Sequence, residues 1–456
     1  MNNTRRLNLH LSKMQQLNSE LVKPSINLDS IAGTRDFPPD EMIKQNWLFN
    51  IWRSISKEFG YREYTCPIVE YADLYTRKGG DDVISEMFAF TLGNNKLALR
   101  PEMTPSLARL MSKTYQTEPT PFKWFSIPQC WRYEDIKRGR KREHYQWNVD
   151  VFGAEKVTSE IEIFMMIVEF FKRIGLTSND VVLKVSNRMI LQKVLSKMGI
   201  VEDLHTKIFI TIDKINKMTR AEMSTLLQSE FDMKNEDINC IFSLCEITDI
   251  NFIASLLGDQ DETYIEMKKI FELAKQIGIN EWLQFDASIV RGLSYYTGIT
   301  FEGFPKNLPT LQKSLCGGGR YDDLMTTYGY KEKVPAVGFG FGDVVIMELL
   351  KDLNLIPVLK NETQYLVVSF NDDLFVDAVL LSQSMRANKI NTETWTKSTH
   401  IKKAYDYANR KGIDHVILIA PIEWKNQQIV LKNLRENDPA LKQTTLSLDV
   451  FMKSLI

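Results

Sequence analysis

At 456 residues the chain is too long for one small core and implies two or three domains. Its composition, 44% hydrophobic and 25% charged, is that of an ordinary globular protein, and a formal charge of −1 excludes a uniformly cationic surface, so any site for a polyanion must be a local patch. The five cysteines, Cys66, Cys130, Cys240, Cys245 and Cys316, are scattered without a C-x-x-C pair, which argues against a disulfide framework or a zinc site and for a reducing compartment. No apolar run approaches the roughly 20 residues a membrane helix needs, so no membrane partner is expected.

The chain opens on an extension, residues 1–24. Its first stretch carries Arg5, Arg6 and Lys13 among Leu7, Leu9, Leu11 and Met14 and no acid before Glu20. That composition fits either an organelle transit peptide (mitochondrion or plastid) or a first helix of a cytoplasmic protein; the cytoplasm is the main expectation. Residues 25–187 mix helix and strand. Pro38 and Pro39 lead into a helix expected from Asp40 to Phe59, with Gly60 at the stop position and Trp47, Ile51, Ile55 and Phe59 as its buried stripe. Residues 188–278 read as a helical insertion, and 279–355 return to strand and glycine signals. After a linker containing Pro357, residues 363–456 read as a small α/β unit built on QYLVVSF, DHVILIA and QQIVLKNL.

The chemistry concentrates between Lys123 and Ala154. FKWFSIPQCWRYE and HYQWNVDVFGA read as two antiparallel strands joined by a long loop. Alternation puts His144, Gln146, Asn148 and Asp150 on one face of the second strand and Tyr145, Trp147, Val149 and Val151 on the other. Cys130, Arg132 and Glu134 share a face of the first strand. A polar strand face is often only a solvated surface. Here, however, Arg, Glu, Gln and Asp dominate over Lys and Thr, which suits fixed hydrogen-bond geometry. The connecting loop packs Lys137, Arg138, Arg140, Lys141 and Arg142 around Gly139, more cation than a turn needs, and fits a polyphosphate or a nucleic-acid backbone.

Four further segments draw attention. In LALRPEMTPSLARLM, Thr104-Pro105 reads as an N-cap followed by proline at the first helical position, and Glu102 sits at a strand–helix junction where a carboxylate can enter a cleft. DASIVRGLSYYTGITFEGF offers Arg291 and the hydroxyls of Tyr295 and Tyr296. CGGGRYDDL sets Arg320 after three glycines, and VGFGFGDVV is only superficially like a nucleotide-binding glycine loop.

Together these segments resemble the histidyl-tRNA synthetase family of class II aminoacyl-tRNA synthetases. GTRDFPPDEM and the helix leading to Pro67 resemble motif 1, CWRYED with the basic loop and YQWNVDVFG resembles motif 2, and LRPEMTPS and VRGLSYYTG resemble the histidine-specific signatures. The resemblance runs from about Gly33 to the C-terminus. It implies an α+β fold with a six- to seven-stranded antiparallel sheet flanked by helices, a helical insertion, a C-terminal α/β anticodon-binding domain and a homodimer. It implies ATP with Mg²⁺, L-histidine and histidine tRNA as ligands. By the same resemblance Glu102 and Tyr296 bind the imidazole and Tyr295 lines that pocket; Gln146 and Asp150 hold the α-amino group beside Thr104. Arg132 and Arg291 flank the α-phosphate as the catalytic pair, Glu134 meets the adenine amino group, and Arg140 the β- and γ-phosphates.

The sequence also departs from the family. The motif 3 arginine that covers adenine is replaced by valine in Gly342-Asp343-Val344-Val345, the aromatic on the other adenine face by His144, the glutamate at the α-amino group by Asp150, and a usual aspartate by Ser294. One account is a modified ATP pocket in which Val345 packs on the ring and Arg320 serves the γ-phosphate. The other is a non-catalytic, histidine-sensing paralogue. Retention of Arg132, Glu134, Arg140 and Arg291, the groups aimed at developing charge, favours the first.

Overall fold

The helix after Pro38 forms as α1 (Pro39–Glu58), with Asp40 and Glu41 in its first turn and Gly60 at positive φ just past its end. Its buried apolar side chains are Leu48, Phe49, Trp52 and Ile55; Trp47, Ile51 and Phe59 are only partly buried. The four-residue repeat read from the sequence drifts around a helix of 3.6 residues per turn, and Trp52 wins the core position by stacking on Trp147 at 5.9 Å.

The computed structural model describes residues 26–77, 84–215, 218–290, 295–396 and 401–455, in two compact units, the first mainly up to Ile356 and the second from Pro357 on. The N-terminal extension, Arg291 and Ser294 lie outside the described residues. Among those described, no helix is long and apolar enough to cross a membrane.

In the first unit, β2 (Val69–Tyr71), β3 (Ala89–Leu92) and β4 (Asn95–Leu99) form a small sheet, order β2-β4-β3. The large sheet comprises β1 (Arg62–Glu63), β5 (Phe122–Ser126), β6 (Gln129–Trp131), β7 (Glu143–Phe152), β8 (Val181–Asn187), β9 (Leu283–Phe285), β10 (Ile299–Pro305), β11 (Cys316–Arg320) and β12 (Ala336–Gly342). Their order is β1-β5-β7-β12-β11-β10-β8-β9, with β6 also on β7. Pairing is antiparallel from β5 to β8, and the edge pairs β1–β5 and β8–β9 are parallel. The strand expected from Lys123 onward is therefore two strands, because Pro128 cannot donate to the ladder and breaks it.

Helices α2 (Thr104–Thr114) and α3 (Thr158–Arg173) flank the sheet, and α3 joins α1 in covering its apolar face through Phe164, Phe170 and Phe171 against Trp147, Phe301 and Phe341. Six helices follow β8: α4 to α9, at Arg188–Lys197, Glu202–Ile212, Arg220–Phe231, Asn235–Cys245, Asn251–Leu257 and Glu262–Gln276. The large sheet closes on α10 (Asp343–Asp352), directly after β12.

The second unit has a five-stranded sheet, β13 (Tyr365–Ser369), β14 (Thr392–Thr394), β15 (His415–Ile419), β16 (Gln428–Asn433) and β17 (Gln443–Ser447), in the order β14-β13-β15-β16-β17. Helices Phe375–Ala387 and Leu448–Ser454 enclose a core of Val367, Ile417, Ile419, Ile429 and Phe451 on one side, and Ile401–Lys411 packs on the other.

Candidate active site

The floor of the site follows from two alternating strands. On β7 the odd residues Trp147, Val149 and Val151 enter the core, while Gln146, Asn148 and Asp150 face a cleft. The neighbouring β12 repeats glycine on the cleft side and Phe339 and Phe341 on the core side, with Gly338 opposite Asp150 and Gly340 opposite Asn148. A Cβ at Gly338 would stand 2.5 Å from both Asp150 Oδ1 and Tyr321 Oη, and one at Gly340 would collide with the Gln146 amide. GFGFG is therefore a strand stripped of side chains on one face so that its neighbour's polar groups can lie across it. The polar face of β7 is not a wet surface: Asn148 and Asp150 are each 4% exposed.

The cleft is walled by Glu102 and Thr104 from the segment entering α2, by Arg132, and by Tyr295, Tyr296 and Tyr321. Tyr295 Oη donates to Glu102 Oε2 at 3.2 Å, and both residues are buried. The rings of Tyr295 and Tyr296 lie 4.9 Å apart, and that of Tyr321 lies 5.9 Å from Tyr295. Tyr321 Oη donates to Asp150. Burial nevertheless pushes the Asp150 carboxyl up to about 7, against the stabilising pull of that hydrogen bond. Thr104 is not the N-cap: the cap is Met103, Thr104 is already helical, and no side chain caps this helix. The hydroxyl thus belongs to the cleft rather than to the helix end. Arg132 is oriented by its Nε, which donates to Pro101 O at 2.9 Å.

Arg132 links the cleft to the basic loop, its Nη1 lying 3.9 Å from Glu134 Oε1, while Arg140 Nε pairs with Glu134 Oε2 at 2.7 Å. His144, beside them on β7, is held neutral: burial, then the charges of Arg132 and Arg35, lower its pKa to about 3. Arg35, from the segment before α1, lies between two acids, Glu143 at 2.6 Å and Asp343 at 2.9 Å, both almost fully buried. Asp343 also accepts from Tyr145 N at 2.9 Å, so the start of α10 is tied to β7 beneath the loop.

Arg320 is absent from this site. Its guanidinium, 2% exposed, is bonded to Glu160 Oε1 at 2.6 Å, to Asp322 at 3.1 Å and to the carbonyls of Ala154 and Glu155. It faces away from the cleft and is held there by four hydrogen bonds, which corrects the expectation that it serves a γ-phosphate. Val345 is likewise packed on protein, in the main core cluster. The sequence assigns no role to Tyr321, Asn148 or Arg35. Asn148 shares the β7 face already identified and Tyr321 follows the glycine segment, but Arg35 is 108 residues from Glu143 and carries no local signal.

A family profile described as histidyl-tRNA synthetase matches residues 33–342, and one described as an anticodon binding domain matches 356–456. The chain is 41% identical to the histidine–tRNA ligase, chloroplastic/mitochondrial, of Arabidopsis thaliana, over 91% of this chain and 84% of that one. The chain belongs to the histidyl-tRNA synthetase family. It is also 33% identical to the histidine–tRNA ligase of Leptospira biflexa, over 91% of this chain and 95% of that one. The solved histidyl-tRNA synthetase of Nostoc sp. PCC 7120 has the same fold, with a TM-score of 0.78 at 22% identity, covering 94% of this chain and 99% of that one.

Proposed function

We propose that this member of the family activates L-histidine with ATP and transfers it to the 3′ end of histidine tRNA. The observation that carries the reading is an aromatic cleft lined by two buried carboxylates, Glu102 and Asp150, together with Arg132. Histidine is complementary to this set. Its imidazole N–H donates to Glu102 and its other ring nitrogen accepts from the Tyr296 hydroxyl, with Tyr295 lining the pocket; its α-ammonium meets Asp150, Gln146 and Thr104, and its carboxylate meets Arg132. A competitor lacking the imidazole cannot offer two ring nitrogens to these groups, a mismatch worth roughly 10⁴-fold in comparable polar pockets.

In the first step a carboxylate oxygen of histidine attacks the α-phosphorus of ATP, and the bond from that phosphorus to pyrophosphate breaks. Arg132 stands where the charge develops, and Arg291 is assigned the opposite side on the strength of the VRGLSYYTG segment alone. Glu134 takes the adenine amino group, the neutral His144 offers a flat ring to the base, and Arg140 turns from Glu134 to the β- and γ-phosphates. Mg²⁺ supplies counter-charge on the triphosphate. That ion is expected to be held chiefly by phosphate oxygens. In the second step the terminal ribose hydroxyl of the tRNA attacks the histidyl carbonyl and AMP leaves.

The second unit is assigned to the anticodon, from its match to the anticodon-binding profile. A homodimer is supported by the apolar side chains of Tyr71, Phe90 and Leu92, which stand exposed on the small sheet. The cytoplasm remains the proposed compartment; the organellar relative makes the plastid or mitochondrion the alternative, and import of a reporter carrying residues 1–24 would decide for the latter.

The test is ATP–pyrophosphate exchange by the full chain with Mg²⁺ against all twenty amino acids, on material whose mass in solution is measured alongside. Exchange with histidine alone is expected. A folded chain that binds histidine but exchanges nothing would replace this reading with the histidine-sensing paralogue.

A further inference from the structure

Loss of the family's motif 3 arginine leaves the question of what Val345 does instead. Val345, Glu348 and Asp352 recur at i, i+3 and i+7 along α10 and so share a face. The basic loop, residues 133–142, lies on that face. Gly139, at its tip, has φ +74°, and a Cβ there would stand 3.4 Å from Leu311 Cδ1 and 3.5 Å from Val345 Cγ2. Beside it Arg138 spreads its fork over α10. Nη2 reaches both carboxylate oxygens of Asp352 at 2.6 Å, Nε reaches Glu348 at 3.1 Å, and Nη1 reaches Thr310 Oγ1 at 3.0 Å.

The base of the loop is held separately. Arg142 N donates to Gly33 O at 2.8 Å, and the Arg142 guanidinium lies over Tyr133 at 3.7 Å. Between the two anchors a tight turn pairs Lys137 with Arg140 and leaves Arg140 on Glu134.

We propose that Arg138 is a positioning residue for ATP. Its latch on Glu348 and Asp352, seated over Val345, fixes the loop so that Arg140 and Glu134 are already side by side when the nucleotide arrives. An arginine at 345 would take the ground that Gly139 and the latch occupy, so the missing motif 3 residue and the latch are two aspects of one rearrangement. The inference rests on the reading of this cleft as an ATP site. Its physical basis is preorganisation: a loop with five cations that is ordered before binding does not charge that ordering and self-repulsion to ATP affinity. An exposed ion pair alone is weak, but Arg138 spends all three guanidinium nitrogens on two acids and a hydroxyl, and a network of that kind is where such pairs count.

The test uses the full chain and reads Michaelis constants for ATP and for histidine separately in pyrophosphate exchange. Arg138→Ala is expected to raise the KM for ATP about three- to tenfold while leaving the KM for histidine unchanged. The pair Glu348→Ala with Asp352→Ala, which touches no group assigned to ATP, is expected to do the same. The charge exchange Arg138→Asp with Asp352→Arg is expected to recover most of what either change alone loses. Without substrates, trypsin is expected to cut the loop several-fold faster in the Glu348/Asp352 variant, whose loop keeps all its cleavage sites. A rise for Arg138→Ala alone, with the acid pair neutral in both assays, would mean that Arg138 meets the nucleotide directly and would overturn the latch. Absence of exchange in the unaltered chain would instead overturn the reaction, and the trypsin comparison would still decide whether the latch exists.

Discussion

The two ends of the site are built on opposite principles. At the inner end Glu102 and Asp150 are buried, each bonded to a tyrosine, on a floor of two strands whose register leaves no room for a methyl group. At the loop end Arg138 and Arg140 are more than a third exposed and hold their acids across the surface. The difference is one of task. A small amino acid is selected by fixed, desolvated partners whose unpaired state is costly, whereas a polyphosphate is met by cations that must exchange one anionic partner for another. Energetics should divide the same way: substitutions at the buried end should cost stability or chemistry heavily, and those at the loop should move one Michaelis constant modestly.

The largest effect is expected at a buried ion pair behind the floor. Glu160 is 0% exposed, its Oε2 has no hydrogen-bond partner, and Arg320 is the cation it faces. Arg320→Met strands that carboxylate and should lower the unfolding free energy by about 3–5 kcal/mol, read as a fall in the urea midpoint at constant slope. Adding Glu160→Leu should recover most of the loss, since two apolar groups need no partner. A loss below about 1 kcal/mol for the single change would show that burial does not set the cost of a stranded charge in this fold.

Next comes Gly338→Ala. The added methyl would meet the Asp150 carboxylate and the Tyr321 hydroxyl at 2.5 Å, and it must displace the group assigned to the α-ammonium. A displacement of that order should lower histidine-dependent exchange by about 100-fold in kcat/KM. The same change should leave the KM for ATP close to its starting value, because the loop is not touched. Equal damage to both substrates would mean that the ends are mechanically coupled.

These two positions also mark how far the sequence could be read. The cleft face of β7 was legible because alternation is a local property: once a strand is recognised, Gln146, Asn148 and Asp150 must share a side. Glu102 was legible from the strand–helix junction. Arg320 was not. An arginine after three glycines looks like a ligand group, and only the pairing of β11 between β10 and β12 decides that it turns toward Glu160, 160 residues away. Arg35 failed for the same reason, since the two acids it joins come from the start of β7 and the start of α10. GFGFG resembles a nucleotide loop only superficially, and its spacing alone does not disclose its use: glycine at every second position of a strand is what a neighbour's buried side chains require. The register of a nine-stranded sheet is a non-local outcome, and residues whose role depends on it cannot be placed by spacing alone.

The smallest effect concerns protons. The Asp150 carboxyl is raised by burial to about 7 in the folded chain, well above the roughly 3.9 of an unfolded aspartate. Between those values the folded chain holds one more proton than the unfolded chain. Asp150 therefore favours the folded state most at low pH, and that contribution is lost as the pH rises toward about 7. An α-ammonium needs the carboxylate, so histidine must expel that proton on binding. The apparent affinity for histidine should then fall by about tenfold for each unit below pH 7 and level off above it. The substrate's own imidazole titrates nearby, at roughly 6.5, and would bend the profile by itself. Asp150→Asn separates the two: the variant should bind histidine weakly throughout and keep only the substrate's bend. The KM for ATP, measured in the same series, serves as the reference from the loop end. Parallel histidine profiles for the two chains would show that Asp150 is already ionised before the ligand arrives, and that the inner end, for all its burial, meets the ammonium as an ordinary surface acid would.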